Sequence, residues 1–232
     1  MRAMILAAGR GERMRPLTDT KPKPLLKAGG LSLIEWHIKR LVDAGITQLV
    51  INHAWLGPQI EDALGDGRRY GANIAYSRED TALETAGGIA RALPLLGKDP
   101  FLVVNGDIWC DWDPKNADRA ASMILSRDLQ AWLLLTSNPA HHPDGDFSLD
   151  DEGMLCTTSG PESFTFTGIG VYRPEFFSNV PPGTPAPLAP LLYQGIEMRR
   201  LAGEYYNGLW IDVGTPQRLA ELNSLLSSGS HL

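Results

Sequence analysis

Hydrophobic residues follow two different spacings along the first half of the chain. Residues 3–8, 48–53 and 101–107 are short, nearly continuous apolar runs, a pattern typical of strands that are buried on both faces of a sheet. Residues 32–45 instead place apolar side chains every three or four positions and end at Gly45, which predicts a helix with one buried face. This alternation predicts a mostly parallel sheet.

Two further helices and one strand continue the rhythm. Residues 58–65 and 85–96 have helical spacing, and residues 73–77 form a short apolar run between them. We therefore predict an α/β fold of Rossmann-like type, with a mostly parallel central sheet and helices on both of its faces.

The pattern becomes more β-rich in the second half of the chain. A hairpin is predicted to turn at residues 151–153, and residues 164–172 form another β-rich run. The last helix is expected over residues 216–226, and residues 227–232 are expected to be a flexible tail. Since neither an internal repeat nor a long linker interrupts the chain, we predict a single domain over residues 1–226.

Composition limits the partners that this domain can have. The chain has 232 residues, of which 43% are hydrophobic, enough for the core of one large domain. Its 27 acidic and 21 basic residues give a net charge of −6, which makes nucleic acid and anionic membranes poor partners. No apolar run reaches the roughly 18 to 20 residues of a membrane span, and two cysteines are too few for a disulfide framework. We expect a cytoplasmic monomer.

A basic loop that contains glycines follows the first predicted strand. Gly9 and Gly11 would let backbone N–H groups approach phosphate oxygens, because a Cβ there would obstruct them. Arg13 can meet phosphate oxygens with a planar fork, and Lys23 with a point charge. Met14 stands where the dinucleotide motif G-x-G-x-x-G has its third glycine, and the Walker pattern is absent. The loop therefore predicts a site for a triphosphate rather than a solvated basic turn.

Two carboxylates follow apolar runs at the sheet edge where ligands of such folds bind. Asp107 comes after Asn105 and Gly106, and Asp212 comes before a Gly-Thr-Pro helix start. Each of them could instead cap the turn or helix that follows it. Taken together at one edge they predict a Mg²⁺ site, because magnesium takes one or two carboxylates plus substrate phosphates.

These loops belong to a longer set of motifs, through which the chain resembles the sugar-1-phosphate nucleotidyltransferases. The family signature G-x-G-x-R-x-x-P-L-T matches residues 9–18. The other matches, in the family's order, are P-K-P-L at 22–25, T-A-G-G at 85–88, N-G-D at 105–107, T-G at 167–168 and W-x-D-x-G-T-P at 210–216. The resemblance spans nearly the whole chain and implies that family's fold.

The resemblance also implies a reaction. An oxygen of a sugar 1-phosphate would attack the α-phosphorus of a nucleoside triphosphate, so that pyrophosphate leaves and a nucleotide sugar forms. Arg13 would hold the β and γ phosphates, and Lys23 would reach the α-phosphate and the sugar phosphate. Asp107 and Asp212 would hold Mg²⁺. Arg13 and Lys23 are the expected catalytic residues, since this step needs alignment and charge neutralisation.

The family pattern further implies two halves within the domain. Residues 1–110 are expected to bind mainly the nucleotide, and residues 111–226, with a small β-rich part, mainly the sugar. The expected nucleotide-binding residues are Ala8, Gly9, Gly11, Thr85 and Gly88. The expected sugar-phosphate-binding residues are Asn105, Thr167, Gly168 and Glu162.

Two departures from the family pattern bear on the substrates. Glu84 stands where many relatives have glycine, and residues 159–168 lack the lysine of the usual Glu-Lys-Pro motif. Glu84 and the short chain most resemble the N-acetylmuramate-1-phosphate uridylyltransferases of bacterial cell-wall recycling, which implies UTP and a sugar 1-phosphate with a bulky lactyl group. The missing lysine implies a sugar phosphate that is held differently. Mannose-1-phosphate guanylyltransferase is the enzymatic alternative, and a nucleotide-sugar sensor is the non-enzymatic one.

Several other side chains favour a structural role. His141 and His142 lie in a turn-rich loop with no third ligand at metal spacing, which favours a surface loop over a metal site. His37 falls within a predicted helix and is expected to be packed there. Trp109 and Trp112 fit either a wall of the sugar site or core packing.

Overall fold

Strands alternate with helices through most of the chain. The computed structural model describes residues 1–157 and 162–228. Over these ranges the strands are β1 Arg2–Leu6, β2 Lys27–Ala28, β3 Leu31–Ser32, β4 Gln48–His53, β5 Asn73–Arg78, β6 Phe101–Asn105, β7 Ile108–Cys110, β8 Ala131–Thr136, β9 Phe147–Leu149, β10 Leu155–Thr157, β11 Thr165–Tyr172, β12 Leu201–Tyr206 and β13 Trp210–Asp212.

The helices cover the faces of the sheet. They are α1 Leu33–Asp43, α2 Gly57–Leu64, α3 Glu84–Leu96, α4 Ala117–Ser126, α5 Ala189–Glu197 and α6 Pro216–Ser227. Short 3₁₀ turns occupy Glu12–Met14, Lys23–Leu25, Arg68–Tyr70, Pro114–Asn116 and Pro174–Phe177. None of the helices described is long and apolar enough to cross a bilayer.

A seven-stranded sheet runs through the whole molecule in the order β12-β8-β11-β6-β1-β4-β5. The pairs β1–β4, β1–β6, β4–β5 and β8–β12 are parallel, whereas β11 is antiparallel to both of its neighbours. This arrangement confirms the predicted α/β fold with a mostly parallel central sheet flanked by helices.

The core lies on both faces of this sheet, which explains the continuous apolar runs. Along β1, Ile5 points into one core cluster, where it meets Ile38 of α1. Met4 points into the opposite cluster, with Ile89 of α3. Since successive side chains of a strand alternate between faces, a strand covered on both sides needs apolar residues at every position.

Local signals account for the starts of two helices. Ser32 and Glu35 form a capping box at the first turn of α1, where each side chain pairs with the other residue's backbone. Thr215 caps α6 by accepting a hydrogen bond from the backbone N–H of Arg218, and Pro216 occupies the first helical position. The Thr215 cap therefore starts α6 shortly after Asp212, so that the first turn of the helix lies near this carboxylate.

The structure differs from the predicted elements in three places. Strand β6 ends at Asn105, and a turn then separates it from β7, so that Asp107 lies in this turn and not in a strand. Helix α4 and edge strand β12 were not predicted, because α4 buries mainly alanines and β12 carries a glycine and a glutamate. Three parts of the predictions lie outside the described residues. They are the end of the predicted hairpin at residue 158, the sugar-side segment 159–161 and the tail residues 229–232.

Candidate active site

The carboxyl ends of β1, β4 and β6 meet at one edge of the sheet. Leu6 pairs with Asn52 of β4 on one side and with Asn105 of β6 on the other. The basic loop and the Asn-Gly-Asp turn therefore leave the sheet side by side. They open into a first cavity of about 460 Å³, lined by Leu6, Ala7, Ala8, Gly9, Gly11, Glu12, Arg13, Lys23, Pro24, Asn52, Ala82, Glu84, Thr85, Asn105, Gly106, Asp107 and Gly214.

The basic loop owes its shape to Gly11. This residue has φ of 64°, a left-handed conformation that glycine adopts at no steric cost. A Cβ here would lie 3.0 Å from the side chains of Lys23 and Thr18, so the loop folds tightly against its own second half. Thr18 closes the turn by donating its hydroxyl hydrogen to the Gly11 carbonyl at 2.8 Å. Arg13 is left exposed at the cavity wall.

Lys23 is a buried cation with one carboxylate partner. Its Nζ lies 2.8 Å from Oδ2 of Asp107, and its side chain is 8% exposed, whereas that of Asp107 is 41% exposed. The carboxylate therefore compensates for the cost of burying the ammonium group and still faces the cavity. A phosphate that enters here meets a cation already fixed in place.

A second cavity of about 380 Å³ adjoins the first. It is lined by Arg13, Asn105, Asp107, Ile108, Pro139, His141, His142, Thr165, Phe166, Thr167, Trp210 and Asp212. Because Arg13, Asn105 and Asp107 line both cavities, these three residues mark the boundary between them. Trp210 forms part of the wall and donates its indole N–H to the Thr167 carbonyl at 2.9 Å.

The two carboxylates are brought together by a small antiparallel ladder. Asp212 of β13 pairs with Ile108 of β7, and the backbone N–H of Val213 donates to the Asp107 carbonyl at 2.9 Å. Asp212 also meets a cation, since Oδ2 lies 2.7 Å from Nη1 of Arg218. Two carboxylates that line one cavity can hold a divalent cation with the help of substrate phosphates.

A buried polar chain fixes the opposite wall of the first cavity. Asn52 accepts a hydrogen bond from the Ala7 backbone at 3.0 Å and donates to Glu79 at 2.7 Å. Glu79 then accepts from the Leu83 backbone at 2.8 Å, directly before α3. Both side chains are buried, so the chain ties the end of β1 to the start of α3.

Most of the predicted site residues lie together. The first cavity contains Ala8, Gly9, Gly11, Arg13, Lys23, Thr85, Asn105 and Asp107, and the second adds Thr167 and Asp212. Gly88 and Gly168 do not line either cavity. Gly88 packs against Asn52 and Glu79, and Gly168 packs against Asn105. Glu162 is exposed and lies outside both cavity walls.

The structure also brings in residues that sequence reasoning did not select. His141 and His142 line the second cavity, although their loop was expected to be plain surface. Arg218 contacts both Asp212 and His141. Its position one turn into α6, three residues after the helix cap Thr215, was the signal available in the sequence, since that turn must adjoin Asp212. Trp109 and Trp112, by contrast, are buried in core clusters and line neither cavity.

Two titratable groups lie behind the site in the core. Burial lowers the pKa of His37 to about 4, and burial raises the pKa of the Cys110 thiol to about 12. Both groups are therefore neutral near pH 7. Neither lines a cavity described above, so neither faces a ligand.

Known proteins resemble this chain in sequence and in architecture. The family model described as nucleotidyl transferase matches residues 2–229. The chain belongs to the nucleotidyl transferase family. A relative from Neisseria meningitidis named N-acetylmuramate alpha-1-phosphate uridylyltransferase is 57% identical, with 97% of this chain and 98% of that protein covered. A relative of the same name from Caulobacter vibrioides is 34% identical, with 93% and 92% covered.

A solved structure agrees with the family at the level of the fold. A Bacillus anthracis protein, provisionally named a glucose-1-phosphate thymidylyltransferase, superposes with a TM-score of 0.85 at 23% identity, covering 98% of this chain and 95% of the other. Membership in the family makes the chain a nucleotidyltransferase, an enzyme acting on a sugar phosphate and a nucleoside triphosphate, and makes the sensor alternative the weaker one.

Proposed function

We propose that this enzyme transfers the uridylyl group of UTP to N-acetylmuramate α-1-phosphate, giving the UDP-sugar and pyrophosphate. The observation that carries this proposal is the 57% identity, over nearly the whole chain, to a relative named for that activity. The paired cavities support it, since one edge of the sheet offers room for a nucleotide and for a sugar phosphate, with Arg13 and Asp107, the partner of Lys23, where the two spaces meet.

The reaction needs positioned charge more than a protein nucleophile. One oxygen of the sugar phosphate forms a bond to the α-phosphorus, the bond from that phosphorus to the bridging oxygen breaks, and pyrophosphate carries the electron pair away. Arg13 binds the outer phosphates, and buried Lys23 binds the α-phosphate and the entering phosphate. Both cations stabilise charge that moves onto the leaving oxygen.

The donor set fits magnesium. Asp107 and Asp212 line one cavity, and no group of three or more His, Cys, Asp or Glu residues forms a metal cluster within residues 1–157 and 162–228. Magnesium suits such a sparse site because it keeps water and substrate phosphates as its other ligands. When bound, Mg²⁺ would neutralise part of the charge of the triphosphate.

The remaining assignments extend the same proposal. Residues 1–110 mainly bind the nucleotide, and residues 111–226 mainly bind the sugar, within one domain. Gly88, Gly168 and Glu162 keep their proposed roles at the margins of the site, the two glycines by packing against site side chains. The enzyme acts as a cytoplasmic monomer in peptidoglycan recycling, where N-acetylmuramate derivatives return to the cell wall.

Pyrophosphate release tests this function directly. Purified enzyme with Mg²⁺ is given each ribonucleoside triphosphate, and dTTP, together with N-acetylmuramate, N-acetylglucosamine, mannose or glucose 1-phosphate. We expect release to be fastest, by at least about tenfold in kcat/KM, with UTP and N-acetylmuramate 1-phosphate. Preference for GTP and mannose 1-phosphate would overturn the substrate assignment and leave the family chemistry standing.

A further inference from the structure

Arg218 contacts two residues that line the second cavity, Asp212 of β13 and His141 of the loop between β8 and β9. Its Nη1 donates to Oδ2 of Asp212 at 2.7 Å and lies 2.7 Å from Nε2 of His141. Since a guanidinium can only donate, Nε2 of His141 accepts in this arrangement. The side chain of Arg218 is only 17% exposed, so its guanidinium group is held in place rather than free in solvent.

A second arginine points to the same spot. A Cβ built on Gly214 would lie 2.7 Å from Nη2 of Arg218, 3.1 Å from Nη2 of Arg13 and 3.1 Å from Oδ1 of Asp212. Both guanidinium groups and one carboxylate oxygen thus lie close to Gly214. Among the residues described, none accepts a hydrogen bond from either Nη2, so both groups have unused donors next to the cavities.

The substrate side of the proposed reaction needs such donors. Residues 159–168 contain no lysine, so the usual source of a sugar-side cation is missing from this chain. N-acetylmuramate 1-phosphate carries two oxyanions, its phosphate and the carboxylate of its 3-O-lactyl group. Arg13 and His141 both line the second cavity, and Arg218 contacts His141.

We propose that Arg218, positioned by Asp212 and His141, binds an oxyanion of the sugar 1-phosphate and takes the part of the missing lysine. This inference rests on the proposed function for the identity of the sugar. Arginine suits the task because its planar fork can bind a carboxylate or phosphate through two hydrogen bonds while other donors keep it oriented.

The test compares Arg218→Met with the wild type, using Arg119→Met as the matched control, since Arg119 is an exposed arginine that pairs with Glu204 away from the two cavities. We expect Arg218→Met to raise KM for N-acetylmuramate 1-phosphate by about tenfold to a hundredfold and to change KM for UTP less than about twofold. Calorimetric titration of the sugar phosphate into enzyme saturated with an α,β-methylene UTP analogue should show the same loss of affinity.

A second sugar distinguishes the two oxyanions. N-acetylglucosamine 1-phosphate has the phosphate but lacks the lactyl carboxylate. If Arg218 binds the carboxylate, Arg218→Met and the wild type bind N-acetylglucosamine 1-phosphate equally. If Arg218 binds the phosphate, the variant has a lower affinity for both sugar phosphates. An equal rise in KM for UTP, or a loss confined to kcat with both KM values unchanged, would overturn the proposal, because Arg218 would then serve the nucleotide or only orient Asp212.

Two further variants keep the inference testable if Arg218→Met unfolds. Arg218→Lys keeps the charge without the fork and should lose sugar affinity by an intermediate factor, and His141→Gln should raise KM for the same sugar by a few-fold. If the wild type prefers another sugar 1-phosphate, the proposed function fails, yet the ratio of variant to wild type with that sugar still tests Arg218.

Discussion

Each carboxylate of the site is paired with a cation from a separate segment. Lys23 comes from the basic loop and reaches Asp107 across the sheet edge, whereas Arg218 comes from the helix that follows Asp212. The pairs hold both carboxylates in defined positions before any ligand arrives. Preorganised charge of this kind favours a step in which negative charge moves between phosphate oxygens.

Replacing Asp107 tests this arrangement at the level of one residue. Asp107→Asn removes the charge and keeps the size, so we expect turnover to fall by at least about a thousandfold. The free energy of unfolding should fall by only about 1 to 2 kcal/mol, since the half-exposed amide can still accept a hydrogen bond from Lys23. Asp118→Asn, at an exposed position of α4, is the control for both measurements, and near-normal turnover of Asp107→Asn would refute the metal assignment.

Glu84 gives a second residue-level prediction. It has φ of 57° at the start of α3, a left-handed conformation that costs a non-glycine residue about 1 to 2 kcal/mol. This backbone conformation gives a physical reason for the glycine that many relatives have at this position. We expect Glu84→Gly to be more stable to urea than Glu84→Ala by about 1 kcal/mol, the reverse of the order within a regular helix. Greater stability of the alanine variant would contradict the strained backbone.

At the level of elements, the Asn52–Glu79 chain couples three of them. It joins the end of β1, through Ala7, to β4 and to the start of α3, so buried hydrogen bonds connect the wall of the first cavity to the sheet. Gly88 of α3 completes this packing, because a Cβ there would lie 2.8 Å from both polar side chains.

Removing Asn52 should loosen that wall. Asn52→Ala leaves the Ala7 N–H and Oε1 of the buried Glu79 carboxylate without partners, which we expect to lower the free energy of unfolding by about 2 to 4 kcal/mol. KM for UTP should rise more than KM for the sugar 1-phosphate, because Asn52 lines only the first cavity. Asn73→Ala removes an exposed side-chain pair with Gln48 and should change stability by less than about 0.5 kcal/mol. Equal effects of the two substitutions would contradict a coupling role.

The sequence was sufficient for those elements whose signals are local. Continuous apolar runs predicted β1, β4 and β6, and the Gly-Thr-Pro start predicted α6. It was insufficient where a residue acts through a distant neighbour. The role of His141 depends on Arg218, 77 positions further along, a contact that no spacing rule contains.

Across the whole molecule, one sheet connects both cavities. Antiparallel β11 lies between β8 and β6, so Thr167 of the second cavity and Asn105, which lines both cavities, belong to adjacent strands. Arg13, Lys23 and Arg218 gather at this edge, where Asp107 pairs with Lys23 and Asp212 pairs with Arg218. The edge therefore offers cations to an anionic ligand although the molecule as a whole carries a net charge of −6.

The stability of the whole molecule should depend on pH through His37. This side chain of α1 lies in a small space with Arg40 and Cys110, behind β7, and its Nε2 has no partner among the residues described. The pKa of His37 is lowered to about 4, chiefly by burial and also by the nearby Arg40, while the hydrogen bond to the Ile108 backbone and the charge of Asp107 oppose that shift. The folded protein thus keeps His37 neutral at pH 5.

The unfolded chain behaves differently, since an exposed histidine binds a proton near pH 6.5. Between pH 6.5 and 4 the unfolded state therefore binds more protons at His37, so the stability present above pH 6.5 is lost as the pH falls. We expect the free energy of unfolding in urea to be about 2 kcal/mol lower at pH 5 than at pH 7. The lowered pKa values of Glu35, Glu61, Asp128 and Asp150 act mainly below pH 5, because those groups are largely ionised in both states at that pH. His37→Gln should flatten the curve over the same range, and parallel curves for the two proteins would show that another group causes the loss.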